Sequence, residues 1–305
     1  MATSGPARAA AARLAGLAAR LGLHVGGRMG ARPGERRFPG RPQATGLEVE
    51  SHSPYAPGDD LRHLDWNLLG RLDTLLMRRF TAEREVVVHL LVDASGSMGL
   101  PAPDRKWGLV SELALALGAV AIASRHAVRL VVLREPAGWH AGAPHRRRAG
   151  LLAMADQLDA TAPGGPLDLG DLLGRYAHRH PEGGAVLVLS DFLVEPERLE
   201  PGLAALRQHG YAVYLLQVLG RSDVEPGRVL ASGALVDTES GGTHPIALTA
   251  DVLARYAALL ATHQDGLRAV AGRQRAVWTS CTSDASAEDV VTTELARAGL
   301  VRARR

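Results

Sequence analysis

Cysteine and lysine are almost missing from this chain of 305 residues: each occurs once, as Cys281 and Lys106. A single thiol excludes an intrachain disulfide framework and a cysteine-rich metal cluster. It fits a reducing cytoplasm. Aromatic residues make up 4% of the chain against 46% hydrophobic residues overall, so the core is expected to be built from Leu, Val and Ala. No window approaches the ~18–20 consecutive apolar residues of a membrane span. Leu14 to Leu23 is interrupted by Arg20 and lacks a clear cleavage site, so no secretory signal is expected. No internal repeat is detectable. A G-x-x-x-x-G-K-S/T loop is absent, which excludes nucleotide hydrolysis by that route.

The net charge of +3 hides an asymmetry, because residues 1–47 hold eight arginines against the single acid Glu35. The rest of the chain is therefore net acidic. Within the basic stretch, Ala7 to Leu21 reads as a short helix with Leu14, Leu17 and Leu21 on one face. Gly26 to Pro42 is rich in Gly, Pro and Arg and reads as a linker. Residues 1–47 are thus expected to form a basic, flexible arm. It is either a solvated tail or a contact to acidic lipid, nucleic acid or an acidic partner. It has no interleaved aromatics to stack on bases.

The stretch that organises the chain is Val86 to Met98, VVVHLLVDASGSM. Its apolar run suits a strand covered on both faces, as in the middle of a parallel sheet. The run stops at Asp93, and Ser95 and Ser97 follow at i+2 and i+4 on a turn of small residues. Open α/β sheets place their ligand sites at that end of their strands. One carboxylate and two hydroxyls make an incomplete cage for a hard cation such as Mg²⁺, which takes about six oxygens and keeps several waters. The competing reading is a polar turn whose Asp and Ser side chains bond their own backbone.

Downstream the pattern alternates. Helices are expected over 107–123, 151–158, 169–176, from Pro196 to Gly210, and over 251–271. Strands are expected over 128–133, 185–189, 211–218 and 276–281, with a hairpin at 233–237 and 244–248. Ser286 to Asp289 resembles a capping box for a last helix ending at Gly299. The alternation predicts an α/β fold: a doubly wound, mostly parallel sheet flanked by helices, with a β-hairpin insertion and a small N-terminal extension.

The D-x-S-x-S turn after a buried strand resembles the metal-ion-dependent adhesion site of von Willebrand factor type A domains. The segment SPYAPGDDLRHLDWNLLGRLDTLLMRRFTAERE and the Ser190-Asp191-Phe192 triplet resemble the bacterial branch catalogued as domain of unknown function 58. The resemblance covers residues 45 to 300. It implies a signature segment at 48–82 that packs Trp66 and pairs Arg with Asp at the edge of an A-like domain spanning 83–300, followed by a basic tail at 301–305. It also implies a metal shell of Asp93, Ser95, Ser97 and Asp191 around Mg²⁺, Mn²⁺ or Ca²⁺. Asp168 would then be an outer partner of the metal or simply a helix cap. The family's usual loop Thr ligand is replaced here by Pro166, which has no ligand atom.

The implied function is a non-enzymatic, metal-dependent protein-interaction module. A partner's Asp or Glu would fill the open coordination position, and a MoxR-type AAA+ ATPase would act beside it in chaperone-like assembly of other proteins. The alternatives are a module that binds without metal, and a metal-dependent hydrolase or phosphotransferase using Asp93 as nucleophile. The latter lacks a second carboxylate at i+2 and a lysine in the right downstream place, Lys106 being the chain's sole lysine.

Overall fold

The structure, a computed structural model, describes residues 5–25, 48–56, 61–81, 86–100, 104–136, 138–229, 233–236 and 242–304. The chain divides into two compact units: residues 1–32 with 86–305, and residues 33–85.

The larger unit begins with helices α1 (Pro6–Leu14) and α2 (Leu17–Arg20) and strand β1 (Leu21–Leu23). This part of the expected flexible arm is folded. Ala7, Ala10, Ala11, Leu14 and Leu17 are buried in the core. The Asp159 carboxylate closes the start of α1, accepting from Ala7 N at 2.9 Å and Arg8 N at 3.2 Å. Small alanines allow that close approach, and composition alone made them look like a solvated tail. The linker expected at 26–42 lies outside the described residues.

In the smaller unit, β2 (Glu48–Pro54) pairs antiparallel with β3 (Leu76–Thr81), and α3 (Trp66–Leu72) lies between them in the chain. Asp65 caps α3, its Oδ1 accepting from Asn67 N and Leu68 N, while its Oδ2 meets His52 Nε2 at 3.0 Å. Trp66 was expected to pack as an anchor, yet it is 63% exposed. It is the first residue of its helix, whereas Leu64 and Met77 are the buried apolar residues of this unit among those described. Asp59 and Asp60 lie outside the described residues.

The main sheet is built next. Strand β4 (Val87–Asp93) leads through α4 (Lys106–Ala123) to β5 (Ala127–Arg134) and the short β6 (Gly138–Ala141). Helices α5 (Ala149–Asp159) and α6 (Leu169–Arg179) precede β7 (Gly184–Ser190). Then come α7 (Pro196–Gln208), β8 (Tyr211–Leu219) and the short helices α8 (Arg221–Val224) and α9 (Pro226–Val229). The hairpin β9 (Gly233–Val236) and β10 (Thr243–Ile246) precedes the long α10 (Ala250–Arg273) and β11 (Val277–Thr282). Helices α11 (Ala287–Thr292) and α12 (Glu294–Arg297) and strand β12 (Val301–Ala303) end the chain. The expected basic tail thus contains a strand, which pairs with β1.

The six strands run in the order β11-β8-β7-β4-β5-β6, parallel except for β6. This is the expected doubly wound fold. Alternating side chains of β4 feed two cores: Val88, Leu90 and Val92 face α4 with α1, α5 and α11 behind it, and Leu91 faces α6 and α7. Helix α4 has the length and hydropathy of a membrane span. Its apolar circumference is explained by burial between the sheet on one side and α1, α2, α5 and α11 on the other. From β4 the chain proceeds to β5 on one side, and from β7 to β8 on the other. The carboxyl ends of β4 and β7 therefore flank the topological switch point, where open α/β sheets leave a crevice.

Candidate functional site

Asp93 is the last residue of β4, and Asp191 follows the last residue of the adjacent β7. Both are almost fully buried, as is Ser95. The turn after Asp93 is held locally: Asp93 Oδ1 accepts from Ser95 N at 2.8 Å, which is the turn chemistry that short polar side chains provide. Oδ2 accepts from the Ser190 hydroxyl at 2.5 Å. The Ser95 and Ser97 hydroxyl oxygens stand 3.2 Å apart. The loop before α6 lies on this turn, with Gly164 N donating to the Ala94 carbonyl at 2.9 Å and Gly96 N donating to the Gly165 carbonyl at 2.8 Å. Gly165 has φ +79°, a conformation side chains rarely tolerate.

Around Asp191 the chain is unusually constrained. Phe192 has φ +49° although it carries a side chain. It is fixed by its own N–H donating to Ser190 Oγ at 3.0 Å, by its buried ring, and by a 2.8 Å hydrogen bond between its carbonyl and His263 Nε2. Gln217 Nε2 donates to the Asp191 carbonyl at 2.9 Å. Thus His263, on α10, supports the strand-end loop.

Lys106, the first residue of α4, has no exposed surface. Its Nζ donates to Asp191 Oδ2 at 2.8 Å and to Asp223 Oδ2 at 3.0 Å. Asp223 Oδ2 also accepts from Gly220 N at 2.8 Å. Asp104 in turn accepts from Ser222 N at 2.8 Å and from the Ser222 hydroxyl. Sequence reasoning missed Lys106, Asp104, Asp223 and Ser190. The available signals were that Lys106 is the chain's sole lysine and that Ser190 belongs to the Ser190-Asp191-Phe192 triplet.

The electrostatics follow from this packing. Burial, then the neighbouring Asp191 charge, push the Asp93 carboxyl up to about 6, against the opposing hydrogen bonds from Ser190 and Ser95. Burial alone would push the Lys106 ammonium toward neutrality. The Asp191 and Asp223 carboxylates outweigh it and hold the ammonium above the ordinary lysine range.

Neighbouring ligands on an octahedral Mg²⁺ with bonds of roughly 2.0–2.1 Å stand about 3 Å apart. The spacing of the Ser95 and Ser97 hydroxyls fits that edge, and Asp93 lies beside them with the anionic charge. These three residues fit a hard cation that keeps its other positions for water or an incoming carboxylate. Asp191, expected in the same shell, is salt-bridged to Lys106 through Oδ2. Asp168 caps α6, accepting from Asp171 N at 3.1 Å, and pairs with Arg198 at 2.7 Å. Among the described residues no group of three His, Cys, Asp or Glu side chains has metal-holding geometry.

Comparison with known proteins agrees with the resemblance read from the motifs. The chain is 29% identical over 239 residues to an uncharacterized protein of Mycobacterium tuberculosis, covering 74% of this chain and 72% of that one. The figures are the same for an uncharacterized protein of Mycobacterium bovis. Among solved structures it is similar to the conserved hypothetical protein BatB from Bacteroides thetaiotaomicron, with 14% identity, 70% of this chain and 98% of that chain covered, and a TM-score of 0.40. It is also similar to an aerotolerance-related membrane protein from Bacteroides fragilis, with 13% identity, coverage of 70% and 99%, and a TM-score of 0.44. A third is the VWA domain of SpRpn10, with 10% identity, coverage of 68% and 94%, and a TM-score of 0.43. The profile of the family described as protein of unknown function DUF58 matches residues 51–266, and the chain belongs to that family.

Proposed function

We propose that this protein is a non-enzymatic binding module. Asp93, Ser95 and Ser97 hold a divalent cation, Mg²⁺ by preference, and an Asp or Glu of a partner protein completes its coordination. The observation that carries this reading is the pair of hydroxyls 3.2 Å apart beside a buried carboxylate, at the carboxyl end of the central strand. The cation supplies a fixed positive charge in a poorly solvated crevice, where a carboxylate binds far more strongly than in water. Binding of this kind tolerates salt and is lost on chelation. Asp93 suits a ligand better than a nucleophile, because each of its oxygens already accepts a hydrogen bond from Ser95 or Ser190. The family resemblance supports a MoxR-type AAA+ ATPase as the partner acting beside it in assembly of other proteins.

Calorimetric titration of the metal-stripped protein with Mg²⁺ and Mn²⁺, beside Asp93→Ala, tests the metal site. Saturable binding by the wild type alone is expected. No heat from either protein at several millimolar would overturn metal dependence. A second reading, binding through surface shape without metal, is favoured by Pro166 in place of a ligand and by the Lys106 ammonium on Asp191. On that reading partner capture survives chelation.

A further inference from the structure

Lys106 stands apart from the other permanently charged basic residues of the chain, all of which are arginines. A buried charge requires compensation by close, well-oriented partners, and Lys106 has two carboxylates at 2.8 and 3.0 Å. Its place at the first turn of α4 is electrostatically unfavourable for a cation, because the helix N-terminus is itself positive. Neither helix stability nor solubility therefore explains the residue. The geometry that does is the crevice: three carboxylates, of Asp93, Asp191 and Asp223, converge on the ends of β4, β7 and β8, and one compact ammonium lies between two of them. A guanidinium is planar and larger, whereas an ammonium is a point charge. That difference gives a reason for lysine at this one position in an arginine chain.

We propose that Lys106 is a built-in cation that takes Asp191 out of the metal shell. It leaves Asp93, Ser95 and Ser97 as the protein ligands among the described residues and keeps the strand ends folded when no metal is bound. Asp191 Oδ2 is engaged by Lys106, and its Oδ1 accepts from Leu193 N at 3.3 Å, so the carboxylate is oriented by its own loop and by α4. Through Asp223, the same ammonium ties the end of β7 to the short helix α8 that follows β8. The consequence is a weak metal site, because one of its two available carboxylates is already neutralised. This inference rests on the metal-dependent reading of the Asp93 site, but the two fail differently.

The test is Mn²⁺ titration of wild type, Asp191→Asn, Lys106→Met and the double variant, with circular dichroism and thermal melting to establish that each folds. Asp191→Asn is expected to bind Mn²⁺ within twofold of wild type, and Lys106→Met at least tenfold more tightly. The double variant is expected to return to the wild-type value. Loss of binding in Asp191→Asn, comparable to that in Asp93→Ala, would overturn the proposal, as would Lys106→Met binding no more tightly than wild type. Should Lys106→Met fail to fold, Asp191→Asn decides alone, because it keeps the Lys106–Asp223 pair. Binding by Lys106→Met but not by wild type would support the role of Lys106 while ending the metal-dependent reading of the native protein.

Discussion

His89 interrupts the apolar run of β4 and has no exposed surface. Its Nδ1 is 2.6 Å from the Tyr176 hydroxyl. Burial first, then the charges of Arg129 and His180, push its pKa down to about 3. The unfolded chain takes up this proton near pH 6.5 and the folded protein only near pH 3, so stability rises with pH across that window. The contribution is fully present above pH 6.5 and is lost as pH falls toward 3, with an upper limit of about 5 kcal/mol. His89→Leu is expected to flatten the fall in melting temperature between pH 7 and pH 4. It should also cost about 1 kcal/mol at pH 7, where the Tyr176 hydroxyl loses its hydrogen bond to His89. An unchanged pH profile would show that His89 is not the acid-sensitive group. The site residues show how far a single position is legible. Asp93 and Ser95 meet across two residues, so their spacing carried the geometry. Lys106 and Asp191 are 85 positions apart, and no local pattern records their contact.

At the scale of elements, the packing of α6 against α7 depends on two glycines. A Cβ on Gly202 would collide with the Gly170 carbonyl and come within 2.9 Å of Leu173 Cβ, while one on Gly170 would collide with the Arg198 carbonyl. Both helices cover the same face of the sheet, with Leu172, Leu173, Leu199 and Leu203 buried between them and the strands. Gly202→Ala therefore has to force the helices apart, at a cost of about 1–3 kcal/mol. A melting temperature lowered by several degrees is the expected result, and an unchanged one would mean that the helices separate freely. The loop that lies on the Asp93 turn leads directly into α6, so this contact also positions one wall of the crevice. These helices were visible in advance because Pro196 opens α7, Gly210 at φ +80° follows it, and Asp168 caps α6.

For the larger unit as a whole, residues 5–25 are part of the core. Leu14, Leu17, Leu23 and Val25 are buried, and β1 gives β12 its only partner among the described strands. Arg304 adds hydrogen bonds to the Ala18 and Ala123 carbonyls at 3.1 and 2.9 Å. Deleting residues 1–25 uncovers the outer face of α4. Burial of several aliphatic side chains predicts a loss of about 3 kcal/mol or more. A lower melting temperature with increased binding of a hydrophobic dye is expected. A truncated protein as stable as the full chain would return these residues to the status of a tail.

Local order carried much of this protein in its sequence. The runs at Val87–Asp93, Gly184–Ser190 and Tyr211–Leu219 read as buried strands because side chains on both faces of a central strand must be apolar. The D-x-S-x-S turn read as a site because its groups lie within five residues of one another. Tertiary structure alone decided the rest. Sheet order placed β4 between β5 and β7, which brought Asp93 beside Asp191. The packing of α4 then carried Lys106 between Asp191 and Asp223, and the fit of small alanines turned half of a basic arm into core. Periodicity records which way a side chain faces along its own element. Which charges meet depends on how distant elements are ordered in space.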